Sequence, residues 1–189
     1  MFSLIPECIE QINNGNRRIG VSVREIVTLE KLKLLADAIE KSISLKSINL
    51  ENNQITDEGA KVLAVVIEKS VSLQNIYLSS NQITDEGAKA LAAASEKSVS
   101  LQTIILGWNQ ITDEGAKALA AAIEKSVSLQ NINLTRNQIT DNNLCERSVK
   151  SAVVRRAVMA LMGYDCAITK YDGDNAIMTR VLKFMLITN

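Results

Sequence analysis

Residues 100–127 read SLQTIILGWNQITDEGAKALAAAIEKSV, and the chain writes nearly the same 28 residues three times running. Residues 44–71 read SLKSINLENNQITDEGAKVLAVVIEKSV, and residues 72–99 read SLQNIYLSSNQITDEGAKALAAASEKSV. A fourth copy begins at Ser128 and loses the pattern after Asp141. A worn copy, VTLEKLKLLADAIEKSI at residues 27–43, precedes them and aligns with the second half of the unit. Self-similarity at a fixed period marks an architecture in which each unit buries its apolar face against the next.

The first half of the unit reads as a strand. Leu45, Ile48 and Leu50 are apolar at alternating or near-alternating positions, with Asn53 and Ile55 following. One short strand per copy, always in the same direction, implies a parallel sheet. Asn recurs at 53, 81, 109 and 137, where the chain turns off the strand. Backbone groups lose their ladder partners there, and a buried amide can both donate to and accept from neighbouring turns. The second half reads as a helix. Thr56 stands at the N-cap, and Asp57 and Glu58 lie in the first turn, where the helix dipole favours negative charge. Ala60, Leu63, Ala64 and Ile67 fall at i, i+3, i+4 and i+7 on one apolar face. Lys69 and Ser70 close it.

The pattern LxxIxLxxNxITDEGAKxLAxxxEKSVS resembles the ribonuclease-inhibitor-like class of leucine-rich repeats, over residues 27–141. The resemblance implies an α/β solenoid, a right-handed horseshoe segment with parallel strands on the concave side and helices on the convex side. Members of that class inhibit nucleases, activate small GTPases, sense ligands or act as scaffolds. Some bacterial pathogens deliver similar arrays into host cells. The fold alone therefore does not choose the function.

The copies can be compared with one another. The second and third differ at five of 28 positions: Asn75/Thr103, Tyr77/Ile105, Ser79/Gly107, Ser80/Trp108 and Ser95/Ile123. Four of these lie between the buried strand residues, where alternation points side chains away from the helices. The third and fourth copies differ at Thr103/Asn131, Ile105/Asn133, Gly107/Thr135 and Trp108/Arg136, the same positions again. Drift on a tolerant surface would also scatter changes over the outer helix face, yet Lys61, Lys89 and Lys117 match, as do the Glu-Lys-Ser endings. A partner-binding surface on the strand face follows, with Tyr77, Ile105, Trp108 and Arg136 at its centre. Asn49, Glu51, Asn131 and Asn133 form its polar border, and Asn75 and Ser80 are among its varied positions. Trp, Tyr and Arg dominate interface energetics. A local role is compatible with this: Arg136 could stack on Trp108 and shield it. Ser95, which replaces Ile67 and Ile123 at a core-facing site, is expected to leave a small packing defect or to bond the preceding helical turn.

Three segments are expected: an N-terminal cap at 1–26, the repeats at 27–141 and a helical cap at 142–189. At the first end, Pro6 starts a short helix with Cys8, Ile9 and Ile12 apolar, ending near Gly15. Ile19, Val21 and Val23 then alternate like a strand. At the other end, residues 143–162 and 175–187 read as helices broken at Gly163. The alternative for the last fifty residues is a docking or delivery segment that folds on a partner.

Composition narrows the chemistry. Lys plus Arg and Asp plus Glu are both 21, so no net field steers the chain to nucleic acid or an anionic membrane. The three cysteines, Cys8, Cys145 and Cys166, are far apart and read as reduced thiols rather than a disulfide framework or zinc site. The absence of histidine removes Ser-His-Asp, Cys-His and His-metal sites. No phosphate-cradling glycine motif occurs. Asp172 and Asp174 hint at a calcium loop, but its twelfth position is Lys183. The Asp-Glu pairs recur once per helix start, unlike a unique acid/base pair. The expectation is a non-enzymatic, cofactor-free and metal-free protein-binding module. It is monomeric and cytoplasmic, or in the host cytoplasm if it is a secreted effector. It binds no nucleic acid or membrane. The alternative is a regulator or inhibitor of an enzyme, a small GTPase or a nuclease, with Arg136 as the acting group.

Overall fold

A strand and a helix repeated in one order leave every unit with an apolar edge that only the next unit can cover. The computed structural model describes residues 5–20, 28–140 and 167–169, and it stacks the units in this way. The elements are α1 (Ile5–Asn13), β1 (Arg18–Gly20), α2 (Leu29–Lys41), β2 (Ser47–Asn49), α3 (Asp57–Lys69) and β3 (Asn75–Tyr77). They continue with α4 (Asp85–Lys97), β4 (Thr103–Ile105), α5 (Asp113–Lys125), β5 (Asn131–Asn133) and β6 (Ala167–Thr169). The strands form one sheet in sequence order. β1 to β5 run parallel, in the register Ile48↔Ile76↔Ile104↔Ile132. β6 closes the sheet antiparallel to β5, a strand that the apolar pattern of the C-terminal segment did not announce. The expected helices at 143–162 and 175–187 lie outside the described residues, as do Cys145, Cys166 and the Asp172–Asp174 turn.

The core is the aliphatic stripe read from the sequence. Leu45, Ile48, Leu50 and Ile55 are buried with Ala60, Leu63 and Ile67, and their equivalents in the next two units follow suit, save that Ser95 replaces Ile67. Each buried Leu or Ile contributes about 1.5–3 kcal/mol. Ser95 is fully buried, and its hydroxyl donates to the Leu91 carbonyl at 2.7 Å, one turn back. In α1, Ile5, Cys8 and Ile12 face the core, and Gly15 takes φ +81° just beyond the helix.

Three polar ladders tie unit to unit. The asparagine ladder acts as expected. Asn81 Oδ1 accepts from the Asn53 and Ile55 N–H groups, while its Nδ2 donates to the Leu50, Leu78 and Ser79 carbonyls. Asn109 and Asn137 repeat the arrangement one unit on.

The second ladder corrects the reading of the helix starts. The Thr56 and Thr84 side chains make no cap hydrogen bond, and Thr112 reaches only the Glu114 N–H at 3.4 Å. The first-turn aspartate instead caps the helix of the following unit. Asp57 accepts from the Thr84 N–H, the Thr84 hydroxyl and the Gly87 N–H at 2.8, 2.7 and 3.0 Å. Asp85 does the same for Thr112 and Gly115. This close approach requires glycine: a Cβ on Gly87 or Gly115 would lie 2.6 or 2.5 Å from the arriving Oδ1.

The third ladder is made of serines. Ser72 Oγ donates to the Ser42 and Leu45 carbonyls, and Ser100 Oγ to those of Ser70 and Leu73. Outside these, Lys69–Glu40, Lys97–Glu68 and Lys125–Glu96 pair adjacent helices at 2.9–3.1 Å.

Candidate functional site

On the side of the sheet away from the buried isoleucines, side chains stand in rows because a parallel register aligns equivalent residues. Asn49, Tyr77, Ile105 and Asn133 form one row, and Ser47, Asn75, Thr103 and Asn131 the next. Ser47 is buried; the others are half-buried. Tyr77 and Ile105 are therefore direct neighbours, as their spacing implies.

The ladder does not stop where the strands end. The Asn52 N–H donates to the Ser79 carbonyl, that of Ser80 to Gly107, and that of Trp108 to Thr135, at 2.8–3.0 Å. This holds a third row in register: Asn52, Ser80, Trp108 and Arg136. All four have φ between 56° and 58°, in the left-handed region. Asparagine enters that region easily, whereas bulkier side chains strain against the following carbonyl. Trp108 and Arg136 are thus placed where the backbone least favours them.

Trp108 is 61% exposed, although it is the chain's one tryptophan. The Arg136 guanidinium lies over its ring, with Cζ 5.3 Å from the centroid. The stacking weighed from sequence is present, and it leaves most of the indole open to solvent. Among the described residues Arg136 forms no ion pair. Gly107 is also fitted to this corner, since a Cβ there would lie 2.8 Å from Thr135 Oγ1.

The polar border is partly committed to its own turns. Asn49 Oδ1 accepts from the Glu51 N–H at 2.9 Å, and its Nδ2 donates to Glu51 Oε2 at 3.3 Å. Asn133 Oδ1 likewise accepts from the Thr135 N–H. Tyr77 and Ile105, which occupy the same row, cannot make this bond. Asn131 Oδ1 is buried with no partner among the described residues.

The sequence reading passed over a second exposed row. Ile43, Val71, Val99 and Val127 follow the helix ends and are 84%, 68%, 69% and 80% exposed. Their signal was the 28-residue recurrence of a β-branched residue between two serines.

Burial pushes the Asp85 carboxyl up, but the Thr112 hydroxyl, the Thr112 and Gly115 N–H groups and the Lys89 charge together hold it below the ordinary carboxylate value. These bonds bind one unit to the next, so the group is structural. No group of three or more metal-ligating side chains occurs among the described residues. None of the described helices is long and apolar enough to cross a membrane.

The leucine-rich repeat family model matches residues 41–64, 69–92 and 97–120. No curated protein matches the chain. Among solved structures, actin-binding site 2 of leiomodin-1 aligns with TM-score 0.66 at 17% identity, covering 99% of each chain. The C-terminal domain of tropomodulin from Caenorhabditis elegans aligns with TM-score 0.62 at 21% identity, covering 83% of this chain and 90% of that one. At these identities the likeness is one of fold.

Proposed function

We propose that this leucine-rich repeat protein binds another protein through its strand face, without catalysing a reaction. The observation that carries the reading is the turn row. An exposed tryptophan and an arginine without an ion pair among the described residues occupy left-handed positions that cost them strain, beside the half-buried Tyr77 and Ile105. Strain of this kind costs on the order of 1–3 kcal/mol per residue and persists where a function uses it. Large aromatic and arginine side chains in one patch are the ordinary composition of an interface centre. One structural neighbour, from leiomodin-1, is an actin-binding site, in keeping with this use of the fold. A reducing, cytoplasmic setting belongs to the same reading, with the Cys8 side chain buried against the core.

The test is affinity capture from cell lysate with the wild type and a Tyr77→Ala/Trp108→Ala double variant. Folding is checked first by circular dichroism. Partners recovered by the wild type should be lost by the variant. An unchanged set of partners from a folded variant would remove the strand face from consideration. The narrower reading, a regulator of a small GTPase, rests on Arg136 and predicts faster GTP hydrolysis by its target. Arg136→Ala would abolish that acceleration.

A further inference from the structure

The geometry points to the chemistry of the occupant: an extended peptide segment that crosses the strands in a fixed direction, placing a carboxylate on Arg136, an apolar side chain on Tyr77 and Ile105, and a cationic side chain on Glu51. This rests on the strand-face reading and deepens it.

Charge complementarity carries the inference. The β5 corner of the face is rich in donors. Arg136 holds its guanidinium over Trp108, with Cζ 5.3 Å from the ring centroid, and makes no ion pair among the described residues, so its N–H fork is available to an anion. A carboxylate is the group that such a planar fork takes by two parallel hydrogen bonds. The neighbouring Asn133 has its Oδ1 engaged by the Thr135 N–H, so its amide N–H groups remain as donors. The β2 corner has the opposite character. Glu51 makes no ion pair among the described residues, and its one side-chain contact is the 3.3 Å hydrogen bond from Asn49.

The two charges sit three strand steps apart, about 14 Å at the usual spacing of parallel strands. An extended peptide covers that span with about four residues. The line between the corners passes over Ser79, Ser80, Gly107 and Trp108, and Tyr77 and Ile105, paired in register and half-buried, lie two to three residues back along the strands, within reach of a long apolar side chain. A positive corner, an apolar middle and a negative corner match a peptide of the reverse pattern and fix its direction. A polyanion such as nucleic acid would meet Glu51 with like charge.

The experiment uses a random heptapeptide library displayed on phage and selected on the full chain. Selected peptides are then synthesised, and binding to the wild type and each variant is measured by isothermal titration calorimetry. The expected consensus has Asp or Glu about four residues from Lys or Arg, with a large apolar residue between. Arg136→Gln should weaken binding at least about tenfold, while Arg136→Lys, which keeps the charge but not the fork, should retain only part of it. Selection on Arg136→Glu should lose the acidic position.

Peptides without an acid, or unaffected by Arg136→Gln, overturn the inference. If such peptides still lose binding with Tyr77→Ala, the strand-face reading survives alone. Peptides indifferent to Tyr77→Ala, Trp108→Ala and Arg136→Gln overturn both. A wild-type selection that enriches nothing overturns the peptide occupant. Arg136-dependent binding of a twelve-residue oligothymidine, with no acidic peptide, would put phosphate in the place of carboxylate.

Discussion

The seam between neighbouring units and the turn after each strand lie within a few residues of one another, yet the copies treat them differently. At the seam, Asn81, Asn109 and Asn137 make the same bonds, and Asp57 and Asp85 make the same bonds. In the turn, the equivalent residues are Asn52, Ser80, Trp108 and Arg136, with nothing in common but a left-handed backbone. A residue that bonds two units cannot change without stranding buried groups on both. A turn whose backbone is held by its own ladder bond can carry any side chain the surface will tolerate.

This contrast also qualifies the comparison between the two exposed faces. The constant lysines of the helix side are partnered. Lys61, Lys89 and Lys117 pair with glutamates on their own helices, and Lys69, Lys97 and Lys125 pair across units. Exposed pairs contribute little, a weak but repeated reason to stay the same. The helix side is not wholly constant either, since the exposed Val65 and the half-buried Val62 stand where the next unit has alanines. Those changes alter size alone, whereas the turn row exchanges amide, hydroxyl, indole and guanidinium.

Three substitutions would break or sharpen the comparison. The largest effect belongs to Asn109→Ala. It leaves the Ile83 N–H and the carbonyls of Leu78, Leu106 and Gly107 without this partner. The carbonyls keep bonds from Asn81, Asn137 and the Ser80 N–H, so the Ile83 N–H is the group left stranded, and a loss of about 3 kcal/mol is expected from it together with the three lost carbonyl bonds, read from urea unfolding. A loss below about 1 kcal/mol would mean that the seam relaxes as easily as a turn.

Next is Asp85→Asn, which keeps the shape but not the charge. The carboxylate is partly exposed, so the expected loss at neutral pH is about 1–2 kcal/mol. The folded carboxyl lies below its ordinary value, so on acidification the unfolded chain takes up its proton first. The contribution is therefore complete above the unfolded value of about 3.9. It is lost as pH falls through the depressed folded value. Stability measured against pH should show wild type and variant converging in acid, and a gap independent of pH would refute the charged cap.

The smallest effect is expected at Trp108→Asn. Relief of left-handed strain, about 1–2 kcal/mol, opposes loss of the arginine stack, about 0.5–1 kcal/mol at an exposed site. Stability should be unchanged or raised by up to about 1 kcal/mol, while peptide binding disappears. Marked destabilisation would show that the tryptophan belongs to the scaffold after all.

Much of this was legible in the residues. The 28-residue period, the aliphatic stripe and the recurring asparagine specified a leucine-rich repeat solenoid, because each depends on spacing along the chain. Comparison of the copies also picked out Tyr77, Ile105, Trp108 and Arg136, since their variation is itself a sequence property. The partners across 26 to 31 residues were not legible. Local reading assigned Asp57 to its own helix, whereas stacking brought its carboxylate to the N–H groups of the next one. Nor could spacing show that four unlike residues share one left-handed turn, or that Arg136 stands over Trp108. Periodicity along the chain determined which side chains repeat. Only the stacked structure decided which of them spend their bonds on the neighbouring unit and which remain for a partner.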